Sequence, residues 1–223
     1  MWSWAEFFEG MRASIPFAIG AGVFGVTLGL AASQAGLNAV EMGFMSATVF
    51  AGASQLVAVG MIEQAAPMGA IIAAVFAVNA RHILMSATLA PVLQNQNPVL
   101  RVWSLLWTVD ESWALTMARS KHAETGAAYL LGLGSVLGAS WMISTVSGVH
   151  LGDLVVSPEV FGLDFLGVSV FLGLLVLLRP TRHHIVPFVI AAVLSPLLAT
   201  VLPGSWSIIV AACCGAAFAA ARA

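Results

Sequence analysis

From residue 185 to residue 221 the chain runs for 37 positions without an Asp, Glu, Lys or Arg. One membrane crossing needs only about 20 residues, so this stretch is too long for a single span and too apolar to face water. It is not isolated. Residues 13–40, 42–62, 125–149 and 165–178 contain no charged or histidine side chain, and 64–100 contains only Arg81 and His82. Charged residues make up 8% of the 223-residue chain, against about 25% in an ordinary soluble domain. A water-soluble fold cannot cover itself with so little charge. The chain therefore reads as an all-α polytopic membrane protein, one integral domain over residues 1–223.

The same inventory excludes other classes. A net charge of -2 with scattered basic residues provides no basic stripe for nucleic acid. Cys213 and Cys214 are adjacent in an apolar run, and no CxxC or Cys/His spacing suggests a metal. No HExxH, Ser/His/Asp or phosphate-cradling GxxxxGK[ST] arrangement is present. Neither an enzyme nor a cofactor or metal centre is expected.

Hydropathy places helices at 14–35, 41–63, 68–92, 102–118, 126–148, 160–179, 185–202 and 205–222, with Pro203-Gly204-Ser205 as the last turn. Eight crossings with both ends inside is the main topology. The alternative is seven, with the segment around Asp110 re-entrant and the N-terminus outside. Arg119, Lys121, Arg179 and Arg182 mark cytoplasmic loops; Arg101 is then the one basic residue on the wrong side. Helices starting near 14, 41 and 68 are echoed by helices near 126, 160 and 185. This spacing suggests two three-helix repeats, 13–92 and 126–202, joined by 102–118. In secondary transporters the substrate site lies between such repeats.

Chemistry must come from polar groups held in the bilayer, where an ionisable residue costs about 2.5–3.5 kcal/mol on insertion scales. Three places qualify. Asn79-Ala80-Arg81-His82 sits in the middle of an apolar run, and the Arg81 fork suits a carboxylate. Asp110 and Glu111 are adjacent acids in an apolar segment; one could balance Arg81 while the other accepts an ammonium group. Trp103, Trp107 and Asp110 would share a helix face. The third place is Ala51-Gly52-Ala53-Ser54-Gln55, where a helix break or close crossing is expected. Asn79, Arg81, Asp110, Glu111, Ser54 and Gln55 are the substrate-binding candidates, with Met45, Leu56 and Phe76 for an apolar pocket. His82 and Glu111 are the candidates for proton coupling. Pro16, Gly20, Gly22, Gly25 and Gly29 allow bending or tight packing in the first helix.

The segments carrying these residues resemble a known family. FGVTLGLAASQAGL (24–37), FAGASQLVAVGMI (50–62), AVNARHILMSATLAPVL (77–93), VDESWALT (109–116) and GLDFLGVSVFLGLLVLL (162–178) are similar to the AzlC/YgaZ family. Val109 stands where the family often has Thr. The resemblance implies the large subunit of a branched-chain amino acid exporter in the bacterial cytoplasmic (inner) membrane. It also implies a small hydrophobic AzlD-like membrane partner. It supplies no established site residues.

The combined expectation is a secondary transporter that exports a branched-chain or other apolar amino acid. Arg81 would hold the carboxylate and Asp110 or Glu111 the ammonium. The rival expectations are a small-solute or ion channel and a non-transporting assembly subunit.

Overall fold

The computed structural model describes residues 2–152, 182–202 and 206–221, and all secondary structure among them is helical. The expected helix at 160–179 and the turn at 203–205 lie outside the described residues. The helices are α1 Trp4–Gln34, α2 Ala39–Val49, α3 Gly52–Glu63, α4 Met68–Asn79, α5 Arg81–Leu89, α6 Pro98–Leu106, α7 Asp110–Ser120, α8 Ala127–Gly152, α9 Arg182–Ala199 and α10 Trp206–Ala220.

Among the described residues, three rods are long and apolar enough to cross a membrane: α1, α4 with α5 (Met68–Leu89), and α8. The 31 residues of α1 span about 46 Å, against about 30 Å of hydrocarbon. Its first turns therefore extend into the interface. There Trp2, Trp4, Phe7 and Phe8 form an aromatic cluster, suited to the headgroup level.

α1 and α8 form the spine. Small residues let their backbones meet, as membrane helices require in the absence of a hydrophobic drive between them. Gly10 lies against Tyr129, Gly22 against Ser140, Gly25 against Ser144, Gly29 against Gly148 and Ser33 against Gly152. Position numbers rise together on both helices, so the pair is parallel. The Ser140 hydroxyl donates to the Ala18 carbonyl at 2.7 Å across this seam. Gly20 faces open space and takes no part.

The two ends of the spine are fixed by polar contacts. At one end, Arg119 Nε and Nη2 each donate to a Glu9 carboxylate oxygen at 2.9 Å, and the Arg119 guanidinium lies 4.7 Å above the Tyr129 ring. The Gly126 N–H donates to Glu6 Oε2 at 3.2 Å. At the other end, α1 stops at Gly36, whose φ of 84° suits glycine, and residues 36–40 gather beside His150.

From this second end α2 starts with a capping box. Asn38 Oδ1 accepts from Val40 and Glu41 N–H, and Glu41 Oε2 accepts from Asn38 N–H. It descends along α8, with Ser46 bonded to Thr145 at 3.0 Å. At Phe50 the backbone turns left-handed (φ 40°, ψ 48°), and Ala51 is extended. The chain then doubles back. Gln55 Nε2 reaches Ser46 Oγ at 3.1 Å, which a straight continuation would place about 15 Å apart along the axis. α3 returns to the second end and packs against α4 through Ala58, Met61, Ile71 and Ala74.

α4 and α5 then run to the first end, where Leu89 and Leu93 pack with Ala127 and Leu130. α6 begins there, with Pro98 at its first position and Asn97 Oδ1 capping Val99 N–H at 2.9 Å. It rises until Trp107 meets Gly134 and Gly138. The chain reverses at Thr108-Val109, and α7 descends to Arg119. α9 and α10 pack on one another, and α10 touches α4.

Two crossings of the main topology are thereby corrected, while the break expected at Ala51–Gln55 and the re-entrant alternative for the segment around Asp110 agree with the helices found. Residues 41–63 and 102–118 do not run straight through; each is a helical hairpin that enters from one end and returns to it. α1 and α8 are parallel because only α4–α5 traverses the spine between them. The topology also removes the Arg101 anomaly. Arg101 now lies at the same end as Arg12, Arg119 and Lys121, while Glu41 and Glu63 lie at the other.

Candidate functional site

The two hairpin tips meet halfway along the spine, where the Phe50 and Trp107 rings stand 5.8 Å apart. The second arms, 12 residues in α3 and 11 in α7, are about 16–18 Å long. That is roughly half the hydrocarbon thickness. The crossing rod is interrupted at the same level. Ala80 N–H turns to the Ala77 carbonyl at 3.4 Å, three residues back, and His82 Nδ1 lies 3.1 Å from the Asn79 carbonyl oxygen. Irregular backbone at membrane depth is tolerated where it lines a cavity, and here it does. A cavity of about 600 Å³ is walled by both tips, the α4–α5 break and the middle of the spine.

Arg81, His82, Asp110 and Glu111 all line it. Arg81 Nη1 and Asp110 Oδ2 are 2.9 Å apart, and both side chains remain partly open to the cavity. α3 presents its N-terminus through Ala51, Gly52 and Ala53 with no side-chain cap. The first amides of a helix lack internal acceptors and carry the positive dipole end. At α7 the Val109 N–H is taken by Ser112 Oγ at 2.9 Å, and Asp110 and Glu111 occupy the first turn, where carboxylates are favoured. Among the described residues, three buried side-chain polar atoms have no hydrogen-bond partner: Asn79 Oδ1, Arg81 Nε and Thr108 Oγ1. Each lies within two residues of Arg81 or Asp110.

Other expected site residues stand behind the wall. Ser54 is fully buried and donates to the Ala51 carbonyl at 2.9 Å. Gln55 is also fully buried, with its amide committed to Ser46 and to Trp141 Nε1. Asn79 contributes no cavity surface. The expected apolar pocket is corrected as well. Met45 and Leu56 pack into the core between the hairpin and the spine, and Phe76 is 72% exposed on the outer face. The common face of Trp103, Trp107 and Asp110 does not exist, because α6 ends at Leu106. Phe24, Phe50, Leu84, Met85, Trp113 and Trp141 form the apolar lining instead, with Trp113 Nε1 donating to Thr88 Oγ1 at 2.8 Å.

Residues 16–155, which carry this whole constellation, match the family described as AzlC protein. The chain belongs to the AzlC family. Its relatives include the inner membrane protein YgaZ of Escherichia coli. That protein is 28% identical over 153 residues, which cover 67% of this chain and 62% of YgaZ. A membrane protein of Archaeoglobus fulgidus is 27% identical over 182 residues, covering 81% of this chain and 79% of that one. No solved structure matches the chain. Within the AzlC match lie both hairpins, the interrupted rod and all of the spine except the first turns of α1, so the cavity is built from the part of the chain that defines its family.

Proposed function

We propose that the chain is a secondary transporter that exports an amino acid with an apolar side chain, of the branched-chain class. In this reading it works with a small AzlD-like subunit in the bacterial cytoplasmic membrane. The observation carrying the proposal is the pairing of opposite charge demands in one apolar cavity at mid-depth. A zwitterion needs a cation and amide donors for its carboxylate, and an acceptor for its ammonium. Arg81 and the uncapped start of α3 supply the first, and Asp110 and Glu111 supply the second. The aromatic and aliphatic walls receive the side chain. The unpartnered Nε of Arg81, a residue that lines the cavity, is further hydrogen-bonding capacity for a polar ligand.

The Arg81–Asp110 pair balances charge when the cavity is empty, and the substrate's two charged groups take over its partners when it is filled. The basic end, with Arg12, Arg101, Arg119 and Lys121, faces the cytoplasm. Hairpins entering from opposite faces give each side its own gate, which is the geometric requirement of alternating access.

The test is counterflow of labelled leucine, isoleucine, valine and methionine in vesicles containing the chain with its small subunit. Saturable exchange is expected. Arg81→Lys keeps the charge but not the fork, so transport should fall at normal complex yield and fall further in Arg81→Gln. A complex that is inert across the panel would remove the transport reading. Normal flux in assembled Arg81→Gln protein would remove the carboxylate role. Retained flux when Arg81→Gln and Asp110→Asn are combined would reduce the pair to charge balance.

A further inference from the structure

One wall of the cavity is built with more precision than a lipid-like lining requires. Trp141 and Phe24 both line the cavity while being only 5% and 7% exposed. Their rings meet edge to face at 5.4 Å. Both bear on the start of α3: a Cβ on Gly52 would stand 2.7 Å from the Trp141 ring and 2.8 Å from the Phe24 ring. Only glycine fits beneath this pair.

The indole is also held from behind. Trp141 Nε1–H donates to Gln55 Oε1 at 2.9 Å, and Gln55 Nε2–H donates to Ser46 Oγ at 3.1 Å. The Thr145 hydroxyl donates to the Met142 carbonyl at 3.2 Å. It is therefore free to accept from Ser46, 3.0 Å away. Donors and acceptors run in one direction from Trp141 back to Met142 on the same helix. The chain passes through both arms of the α2–α3 hairpin. A closed buried network of this kind fixes one arrangement, and here the group it fixes is a ring facing the ligand cavity.

We propose that Trp141, backed by Phe24 over Gly52, sets the upper size of the substrate side chain, and that Gln55 is the positioning residue that holds the indole at that limit. The inference rests on the amino-acid transport reading and adds to it the residue that discriminates among apolar side chains. A rigid aromatic surface excludes a larger side chain through overlap. A loosely packed aliphatic wall would yield to it. Per methylene, such pockets discriminate by roughly 10–200-fold. Removing the indole should therefore relax the preference selectively for larger substrates.

The experiment measures kcat/KM for valine, leucine, methionine and phenylalanine in vesicles holding the complete complex. Thermal stabilisation of the purified complex by the same four amino acids is measured alongside. In Trp141→Leu the phenylalanine-to-valine ratio should rise at least tenfold, with a smaller rise in Phe24→Leu. Gln55→Met should raise KM for valine several-fold with little change in kcat, and should shift the ratio in the same direction as Trp141→Leu. Should Trp141→Leu fail to assemble, Trp141→Phe supplies the reading, because it keeps an aromatic ring but cannot reach Gln55. A ratio unchanged within twofold in variants that still transport valine would overturn the assignment and leave the transport reading standing. Wild-type complex that neither moves nor is stabilised by any of the four would overturn both.

Discussion

Gly148 is the position where the spine can be tested most directly. A Cβ on Gly148 would stand 2.9 Å from the Cα of Gly29 and would overlap the Val26 carbonyl oxygen. Both obstacles are backbone of α1 and cannot rotate away. Carbon atoms prefer about 3.5–4.0 Å, so Gly148→Ala must part α1 and α8 by roughly 0.5–1 Å. A gap of that size forfeits a quarter to a half of the dispersion attraction of the contacts it opens. Overpacking of this kind costs about 1–3 kcal/mol, against a helix-propensity gain of about 0.5–1 kcal/mol for replacing glycine with alanine. Gly20 is the control, since nothing lies within 4 Å of its would-be Cβ; there only the gain applies. The propensity gain is common to both, so the two single variants should differ by the overpacking cost, about 2 kcal/mol at the middle of its range, with Gly148→Ala below wild type and Gly20→Ala at or above it. At roughly 2–4 °C per kcal/mol for a chain of this size, thermal midpoints of the detergent-purified protein should separate by about 4–8 °C. Gly148→Ala melting with or above Gly20→Ala would refute the close backbone seam.

Single-cysteine variants at Arg101 and Lys121 should be labelled from the same face of sealed vesicles, and variants at Asn38 and Glu63 from the opposite face; labelling of Arg101→Cys with the Glu63 side would reject the second hairpin. Replacing Asn38 by Ala removes a two-donor cap and should cost about 0.5–2 kcal/mol, read as a lowered midpoint, and Asn38→Ser should recover most of it. Arg119→Lys keeps a cation facing Glu9 but loses the two-point fork, and because the pair is partly exposed the loss should stay near or below about 1 kcal/mol. A drop of several kcal/mol in unfolding measurements would mean that the contacts of Arg119 with Thr125 and Tyr129 dominate.

Hydropathy locates apolar residues in depth but carries no direction. An apolar window of about 17–23 residues satisfies a straight span and a folded-back pair of half-length helices equally well, which is why 41–63 and, in the main topology, 102–118 read as crossings. A break was legible at Ala51–Gln55, but the change of direction was not, because Phe50, a bulky residue, adopts the left-handed conformation where a glycine would have announced the turn. Arg101 was the legible clue. One basic residue on the wrong side is what a misdirected segment leaves behind. Arg81, His82, Asp110 and Glu111 were visible because charge stands out in lipid-like composition, and the cavity brings them together. Trp141 and Phe24 were not, since one more aromatic residue in an apolar run has no contrast. Ser54 and Gln55 were legible as polar groups, yet polarity alone cannot tell a ligand-facing amide from one that orients its neighbour. Gly22, Gly25 and Gly29 announced close packing correctly, though Gly20 did not, and none of them showed that the partner would be α8, more than a hundred residues away.

The hydrogen-bond loop through Ser46, Gln55 and Trp141 also sets a timetable for biosynthesis. Gln55 is joined to Trp141 across 86 residues of chain, and Ser46 to Thr145 across 99. At about 5–20 residues per second, α8 leaves the ribosome roughly 4–20 seconds after the first hairpin. During that interval the hairpin has neither its polar partners nor the glycine seam against which it rests. The nascent segment must therefore be sheltered near the insertion machinery, or first span the bilayer and later be drawn back. A truncation ending before Ala127 isolates that intermediate, whose residues 50–52 would be accessible to modification in a way the finished protein forbids.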